Sequence, residues 1–341
     1  MGNRKNSCKT KLIIEEGVMA KQVLVVMPMN ERQKAYLEKQ ASSGCFDCTF
    51  KYMKSREVTA EDLDGVSALI GNLSPEIIEK SGKRLEWVQL NSAGADMYVT
   101  PGVLSDSTVL TNAAGAYGIS VSEHMLALTF DLIRKFEIYH HNQEHHIWKD
   151  EGNIASVEGV TVLVMGLGDI GGAYARKMKA LGAACVIGIR RTDRDRPSYV
   201  DEQYTMDRLD EVIGRADIVA MVLPGEPETR HIMNEDRLRA MKKGAYLINV
   251  GRGSAIDPDA LKHVLTDGHL GGAGLDVTEP EPLPADDLLW TLPNVIITPH
   301  VAGQFNLPET IERIVRMTGE NMNAWACGRK LKHIVNRKTG Y

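Results

Sequence analysis

One stretch of the chain limits its possible folds more than any other. The apolar, largely β-branched run 160–165 leads directly into Gly166-Leu167-Gly168-Asp169-Ile170-Gly171, and a helical pattern follows over 173–180. In a strand, loop and helix of this kind the first glycine makes a tight turn, the second lets a ligand approach the backbone, and the third lets the helix pack on the strand. The pattern predicts the first unit of a doubly wound parallel sheet.

The remaining apolar runs extend this interpretation to the whole chain. In the second half they lie at 186–189, 217–223, 245–250, 271–276 and 295–298. In the first half they lie at 23–27, 66–70 and 87–90, with helical patterns at 31–40 and 75–80 between them. Strands that alternate with helices predict an α/β fold. We expect two Rossmann-like or flavodoxin-like domains, each a doubly wound parallel sheet.

Two long amphipathic segments connect these series. Residues 120–144 contain no Pro or Gly and predict one uninterrupted helix, long enough to cross between the domains. Residues 308–327 predict a second helix, which we expect to pack back on the first domain. Residues 1–20 lack this patterning and are interpreted as an unstructured extension, with Met19 as the true start.

Composition excludes several classes of protein. Lys and Arg number 40 against 45 Asp and Glu, so the net charge is −5, and no basic tract is present. This balance argues against binding to nucleic acid or to an anionic membrane. No apolar run approaches the ~20 residues of a membrane span, and no apolar signal-peptide core is present. We expect a cytoplasmic protein that acts on small molecules.

Two clusters that resemble metal or redox motifs are interpreted as structural. Cys45-Phe46-Asp47-Cys48 lacks the second ligand pair of a zinc site and lies in a strand-like stretch, whereas a redox C-x-x-C opens a helix. His141 and His145 are four residues apart on a predicted helix, but they do not form H-E-x-x-H. We interpret residues 140–146 as an exposed or interfacial helix end and predict no metal site.

The glycine loop, followed by a helix N-terminus, predicts a dinucleotide site. Sites for NAD place an acidic residue about 20 residues further on, where it binds the ribose 2′-hydroxyl. This chain has Ile189 there, followed by Arg190 and Arg191. Arginine can hold a 2′-phosphate through charge-assisted, bidentate hydrogen bonds. The sequence therefore favours NADP(H) over NAD(H), unless the two arginines are merely solvated loop residues.

Four motifs, in order, carry a resemblance to a known family. They are the glycine loop, Asn249-Val250-Gly251-Arg252-Gly253, the segment GLDVTEPEPLP at 274–284 and the segment NVIITPHVAG at 294–303. With this order and spacing, residues 22–335 resemble the D-isomer-specific 2-hydroxyacid dehydrogenases, the family of phosphoglycerate dehydrogenase, D-lactate dehydrogenase and glyoxylate/hydroxypyruvate reductase.

The resemblance implies that Arg252, Glu281 and His300 are the catalytic residues. Reduction of a 2-keto acid needs a proton at the carbonyl oxygen, and histidine can give and regain a proton near neutral pH. Glu281 would orient the imidazole of His300 and favour its protonated form. Arg252 would hold the substrate carboxylate and polarise the carbonyl group.

The resemblance also implies supporting roles. Backbone N–H groups of Ser92, Ala93 and Gly94 would bind the substrate carboxylate together with Arg252 and His300. Other positions are implied to contact the cofactor or to act as a hinge. They are Asp276 near the nicotinamide amide, Leu223 and Pro224 against the adenosine part, Val250 after its strand, Tyr117 near the cofactor or else in the core, and the hinge 111–115.

The function implied is the reduction of small 2-keto acids, such as glyoxylate or hydroxypyruvate, to D-2-hydroxy acids with NAD(P)H. We assign 21–112 with 307–341 to substrate binding and 113–306 to dinucleotide binding, and we expect a homodimer formed through the long helix. One alternative is a nucleotide-sensing, corepressor-like binding protein. Another is a phosphoglycerate, phosphite or formate dehydrogenase on the same scaffold.

Overall fold

The computed structural model describes residues 20–338 and Gly340, so the expectation for the N-terminal extension lies almost wholly outside the described residues. Within them, two parallel sheets with flanking helices confirm the predicted α/β class. The first sheet has five strands in the order β2-β1-β3-β4-β5, which is the flavodoxin-like order. Its strands are β1 (Lys21–Val25), β2 (Cys48–Tyr52), β3 (Val66–Ile70), β4 (Trp87–Gln89) and β5 (Val109–Thr111).

The second sheet has seven strands in the order β12-β11-β10-β9-β6-β7-β8. They are β6 (Thr161–Met165), β7 (Cys185–Arg190), β8 (Glu202–Thr205), β9 (Ile218–Met221), β10 (Tyr246–Asn249), β11 (Gly272–Leu275) and β12 (Val295–Ile297). The order reverses between β6 and β9, and ligands of open α/β sheets bind beyond the carboxyl ends of the strands at such a point.

Helices cover both sheets. They are α1 (Glu31–Ala41), α2 (Pro75–Ser81), α3 (Gly118–Arg134), α4 (Phe136–Glu144), α5 (Asp169–Ala180), α6 (Leu209–Val212), α7 (Glu235–Ala240), α8 (Pro258–Thr266) and α9 (Pro308–Ala326). Strand β6 shows why its last four residues are all apolar. Leu163 and Met165 belong to one hydrophobic core, and Val162 and Val164 belong to another. Both faces of the strand are buried, as expected for a parallel sheet between helical layers.

The prediction of one uninterrupted helix over 120–144 was wrong. Helix α3 ends at Arg134, and α4 begins at Phe136, because Lys135 adopts a left-handed conformation with φ 60°. The following chain returns to this point. The N–H of Ala155 donates to the carbonyl of Ile133, and Lys135 Nζ donates to the carbonyl of Glu151. These tertiary contacts end the helix where no Pro or Gly marks the break.

Helix α9 packs on the first sheet, as predicted. It lies against α1, where Gln33 Nε2 donates to Glu312 Oε1 at 2.9 Å and Asn323 Nδ2 donates to the carbonyl of Gln40 at 3.0 Å. On its other side, Trp325 contacts the fully buried Trp87 of β4, with ring centroids 5.7 Å apart. The end of the chain therefore completes the layer that begins with α1.

Candidate active site

The three glycines of the loop after β6 each show a different constraint. Gly166 has φ +100°, and a Cβ there would lie 2.6 Å from the carbonyl oxygen of Val222. A Cβ on Gly171 would lie 2.0 Å from the carbonyl oxygen of Gly166. A Cβ on Gly168 would meet no atom within 4 Å. Gly166 and Gly171 are therefore required by packing, whereas Gly168 faces open space at the start of α5. That space, beside the N–H groups of a helix N-terminus, fits a pyrophosphate.

The neighbouring loops close around this turn. A Cβ on Gly251 would lie 2.6 Å from the carbonyl oxygen of Leu223, so the loops after β6, β9 and β10 are in backbone contact. Leu223 is buried, and Pro224 follows it at the carboxyl end of β9. Asp169 is the first residue of α5, and its carboxylate lies beside Gly118 at the start of α3.

The two arginines predicted to select the cofactor lie at the end of β7 but have different surroundings. Arg190 is the last residue of the strand, and its Nε is buried without a hydrogen-bond partner among the described residues. Arg191 forms an ion pair with Glu226 from the loop after β9. Sequence reasoning missed Glu226, because an ion pair between residues 35 positions apart leaves no local pattern.

A cavity of about 250 Å³ opens between the two sheets. It is lined on one side by loops that follow strands of the first sheet and on the other by loops that follow strands of the second. It brings together eight residues predicted to form the site. They are Ser92, Ala93, Gly94, Ile170, Val250, Arg252, Asp276 and His300.

Apart from Tyr117, which also lines the cavity, the other residues predicted to contact substrate or cofactor lie outside its wall. Glu281 lies behind His300, and the remainder belong to the glycine loop and to the ends of β7 and β9. They are Gly166, Gly168, Asp169, Gly171, Arg190, Arg191, Leu223 and Pro224. The predicted residues therefore line a cavity and, beside it, the glycine loop and the ends of β7 and β9, which together are called the proposed cofactor groove.

His300 is held from two sides. Its Nδ1 lies 3.0 Å from Glu281 Oε2, and the N–H of Thr278 donates to the other carboxylate oxygen at 3.1 Å. The backbone of His300 has φ 52°, an uncommon value for a residue with a side chain, and its N–H donates to the carbonyl of Asp276 at 2.8 Å. Because Nδ1 faces Glu281, Nε2 is the ring nitrogen available to exchange a proton with a molecule in the cavity.

Arg252 reaches from the second sheet to the first. Its Nε and Nη2 each lie 2.8 Å from Asp96 Oδ2, and its Nη1 donates to the carbonyl of Gly251 at 2.8 Å. A Cβ on Gly94 would lie 2.0 Å from Nη2, so the guanidinium group lies directly on the loop after β4. Asn249 Nδ2 donates to the carbonyl of Arg252 and holds the turn that carries it.

The loop after β4 presents unused hydrogen-bond donors. Asn72 and Asn91 fix it reciprocally, because the N–H of each donates to the side-chain oxygen of the other, at 2.7 and 3.0 Å. The backbone N–H groups of Ser92, Ala93 and Gly94 donate to no group in the described part of the chain. These donors, beside the Arg252 guanidinium that Asp96 holds against this loop, make this side of the cavity suited to an anion.

Asp276 is almost fully buried, and its carboxylate accepts hydrogen bonds from other groups of the protein. Oδ1 accepts from Thr298 Oγ1 at 2.6 Å and from the N–H of Val301 at 2.9 Å, and Oδ2 accepts from the N–H of Ala302 at 3.1 Å. His124 Nε2 lies 2.9 Å from Thr298 Oγ1. This network fixes the loop that carries His300. Sequence reasoning missed the roles of His124, which belongs to no motif, and of Thr298, which lies within the motif NVIITPHVAG but was given no role.

Tyr117 combines the two positions considered for it. Its side chain is buried, yet it lines the cavity, and its hydroxyl donates to the carbonyl of Asn91. Burial raises the pKa of the phenol, so Tyr117 stays neutral over the ordinary pH range.

The cysteine pair 45/48 and the histidine cluster 140–146 do not form a metal site in the structure. Within the described ranges, no group of three or more His, Cys, Asp or Glu side chains could hold a metal ion. Burial raises the pKa of the Cys48 thiol, which disfavours the thiolate that metal binding or redox exchange needs. No helix within residues 20–338 is long and apolar enough to cross a membrane. A location in the cytoplasm stays a prediction from the sequence.

Known proteins resemble this chain along most of its length. The sequence profile described as D-isomer specific 2-hydroxyacid dehydrogenase, NAD binding domain, matches residues 126–302. A glyoxylate reductase from Korarchaeum cryptofilum is 30% identical over 294 residues, which cover 83% of this chain and 87% of that protein. A glyoxylate reductase from Thermococcus onnurineus is 31% identical, with 83% and 87% covered.

A solved structure of NADPH-dependent glyoxylate/hydroxypyruvate reductase from Sinorhizobium meliloti, in complex with NADP and sulfate, is 26% identical with a TM-score of 0.76 and covers 94% of this chain and 100% of its own. The profile match spans more than half of the sequence, and the curated relatives align along most of their lengths. The chain therefore belongs to the D-isomer specific 2-hydroxyacid dehydrogenases, a family of NAD(P)-dependent oxidoreductases.

Proposed function

We propose that this enzyme reduces small 2-keto acids of the glyoxylate and hydroxypyruvate type to D-2-hydroxy acids and prefers NADPH. One observation carries the proposal: a cationic group, unused N–H donors and a histidine backed by a carboxylate converge on one cavity of about 250 Å³. A cavity of this size suits a small acid. Glyoxylate reductases among the relatives support the substrate class.

The two sheets would bind different molecules, one the substrate and the other the cofactor. Residues 21–112 with 307–341 would form the substrate-binding domain, because the donors of Ser92, Ala93 and Gly94 follow β4 of the first sheet. Residues 113–306 would bind the dinucleotide along the glycine loop at the reversal point of the second sheet. The reaction would take place where these two regions meet.

Each polar group at the cavity has a role in this proposal. Arg252 and the N–H groups of the loop after β4 hold the substrate carboxylate and fix the orientation of the carbonyl group. His300 donates a proton from Nε2 to the carbonyl oxygen, and Glu281 orients the ring and stabilises its positive charge. When bound, the reduced nicotinamide cofactor supplies the hydride for C2 of the substrate.

The preference for NADPH rests on the end of β7. No acidic residue follows this strand at the position that would bind a ribose 2′-hydroxyl, and Arg190 and Arg191 follow instead. The Sinorhizobium meliloti enzyme, described as NADPH-dependent, supports this choice. NAD(H) stays the alternative cofactor.

A homodimer is also part of the proposal. Apolar side chains are concentrated on the surface of residues 136–154, where Phe136, Ile147 and Ile154 are about half exposed and Trp148 is completely exposed. A cluster of this kind marks an interaction surface more often than a solvated one. It includes α4, which lies within the long helix expected to mediate dimerisation, and the segment that directly follows this helix.

The test is NADPH oxidation by the purified protein with glyoxylate, hydroxypyruvate and pyruvate. We expect turnover with at least one of these acids and a loss of at least about 100-fold in kcat for His300→Asn. The exposed His263 provides the matched control, because His263→Asn removes a histidine outside the site. The absence of turnover with a broad panel of keto acids and both cofactors would reject the reductase and favour a binding protein.

A further inference from the structure

The ion pair between Arg191 and Glu226 lies across the proposed cofactor groove. Arg191 directly follows β7, and Glu226 lies in the loop after β9. These strands flank β6 on its two sides, and the glycine loop extends from the end of β6. The pair therefore links the two loops on either side of the turn that would hold the pyrophosphate.

The position of Glu226 leaves its negative charge poorly solvated. Its side chain is only 10% exposed, and its Oε1 is buried without a hydrogen-bond partner in the described part of the chain. The Glu226 side chain also caps the adjacent turn by accepting from the N–H of Thr229, and the turn has further supports. The N–H of Glu226 donates to Thr229 Oγ1 at 3.1 Å, and Thr229 Oγ1 donates to the carbonyl of Pro224 at 2.7 Å. The carboxylate is thus a poorly solvated anion beside an arginine.

A 2′-phosphate would compete for the same arginine. A phosphate monoester carries close to two negative charges at neutral pH, and arginine binds it through paired, charge-assisted hydrogen bonds. If the phosphate takes Arg191, Glu226 loses its cationic partner while it stays largely buried, and that arrangement is costly. A ribose 2′-hydroxyl has no such charge and leaves the pair intact. The penalty therefore falls on NADPH alone.

We infer that Glu226 is a specificity-determining residue, which weakens NADPH binding relative to NADH by competing with the 2′-phosphate for Arg191. The inference rests on the proposed NADPH preference, which Arg190 supports independently, because no carboxylate of residues 20–338 lies within ion-pair distance of it. In this arrangement Arg190 favours the phosphate, and Glu226 limits how strongly the enzyme discriminates.

The experiment compares Glu226→Gln with the wild-type enzyme in direct binding. Glutamine keeps the length and shape of the side chain, removes its charge and replaces one acceptor oxygen with an NH2 donor. NADPH and NADH are titrated by the change in their fluorescence. Adenosine 2′,5′-bisphosphate and adenosine 5′-monophosphate then serve as competing probes that need no turnover. Glu228→Gln is the matched control, because Glu228 belongs to the same turn and is exposed.

We expect Glu226→Gln to tighten binding of NADPH and of the bisphosphate by about tenfold, with NADH, the monophosphate and the Glu228→Gln control unchanged. The gain should disappear in an Arg191→Gln background, because the effect acts through that arginine. Equal changes for both cofactors would overturn the inference. A selective loss of NADH would also overturn it, because Glu226 would then bind the 2′-hydroxyl.

Failure of the underlying proposal looks different. If wild-type enzyme binds the bisphosphate no better than the monophosphate, and Arg190→Gln changes neither, the NADPH preference itself is wrong. If Arg190→Gln weakens the bisphosphate selectively while Glu226→Gln matches wild type, the preference stands and only the role of Glu226 fails. Circular dichroism spectra that superimpose with that of wild type establish that each variant is folded.

Discussion

His300 and Glu281 show how much of the site depends on pairs of side chains. The imidazole has one nitrogen 3.0 Å from the carboxylate, and the carboxylate is itself fixed by the N–H of Thr278. The motif GLDVTEPEPLP and the motif NVIITPHVAG identify these residues from the sequence. Their relative orientation depends on the path of the intervening loop and appears only in the structure.

Replacement of Glu281 tests this pair. Glu281→Gln keeps the length of the side chain but removes the negative charge that stabilises a protonated ring, so we predict a fall of at least about tenfold in kcat for keto-acid reduction. Glu279→Gln serves as control, because Glu279 is in the same loop and pairs with Arg230. Steady-state kinetics measure both variants. Equal losses would reduce Glu281 to a loop-stabilising residue.

The glycine loop offers a second test at this scale. Gly168 has φ −79° and open space around its Cβ position, so Gly168→Ala should unfold at the same urea concentration as wild type yet bind NADPH at least about tenfold more weakly. Gly171→Ala would place a methyl group 2.0 Å from a carbonyl oxygen and should cost about 2 kcal/mol of stability. Urea unfolding and NADPH titration separate the effects. Unchanged NADPH affinity of Gly168→Ala would contradict the pyrophosphate site.

At the scale of secondary structure elements, the sequence predicts a strand correctly where that strand is buried on both faces. The central strands are predicted well because both faces are covered and most positions are apolar, as in β6, where only Thr161 is polar. The edge strand β8 was missed, since Glu202-Gln203-Tyr204-Thr205 has no apolar run and each of its residues is only partly buried. Strand β5 was missed because its apolar run is only two residues long, Val109-Leu110. The break at Lys135 was missed because a returning segment causes it.

That break predicts a difference between two neighbouring glycine substitutions. Arg134 is helical, so Arg134→Gly should cost about 1 kcal/mol of stability. Lys135 has φ 60°, where glycine removes a steric penalty of about 1 kcal/mol, so Lys135→Gly should be more stable than Arg134→Gly by about 1 to 2 kcal/mol. Urea denaturation of both variants measures the difference. Equal stabilities would show that the relief of strain at Lys135 does not exceed the loss of its Nζ contact with the Glu151 carbonyl.

At the scale of the whole molecule, the exposed apolar cluster of residues 136–154 is the main feature that a single chain does not explain. We predict that Trp148→Lys shifts the protein from dimer towards monomer, because a charge replaces a completely exposed aromatic side chain of the proposed contact. Trp290→Lys is the control, since Trp290 is half exposed elsewhere on the surface. Sedimentation velocity reports the mass of each variant. A wild-type monomer would exclude the dimer outright.

The position of α9 has a consequence for the order in which the protein folds during translation. The first sheet is held by residues that are synthesised late. Asn321 Nδ2 donates to Gln89 Oε1 at 2.9 Å, and the N–H of Val335 donates to the carbonyl of Leu110 at 2.8 Å. All strands of the second sheet precede them in the chain. We therefore expect the nascent chain to acquire protease resistance in its middle before its beginning, as pulse-chase digestion during translation would reveal. The opposite order would show that the early strands fold without their late partners.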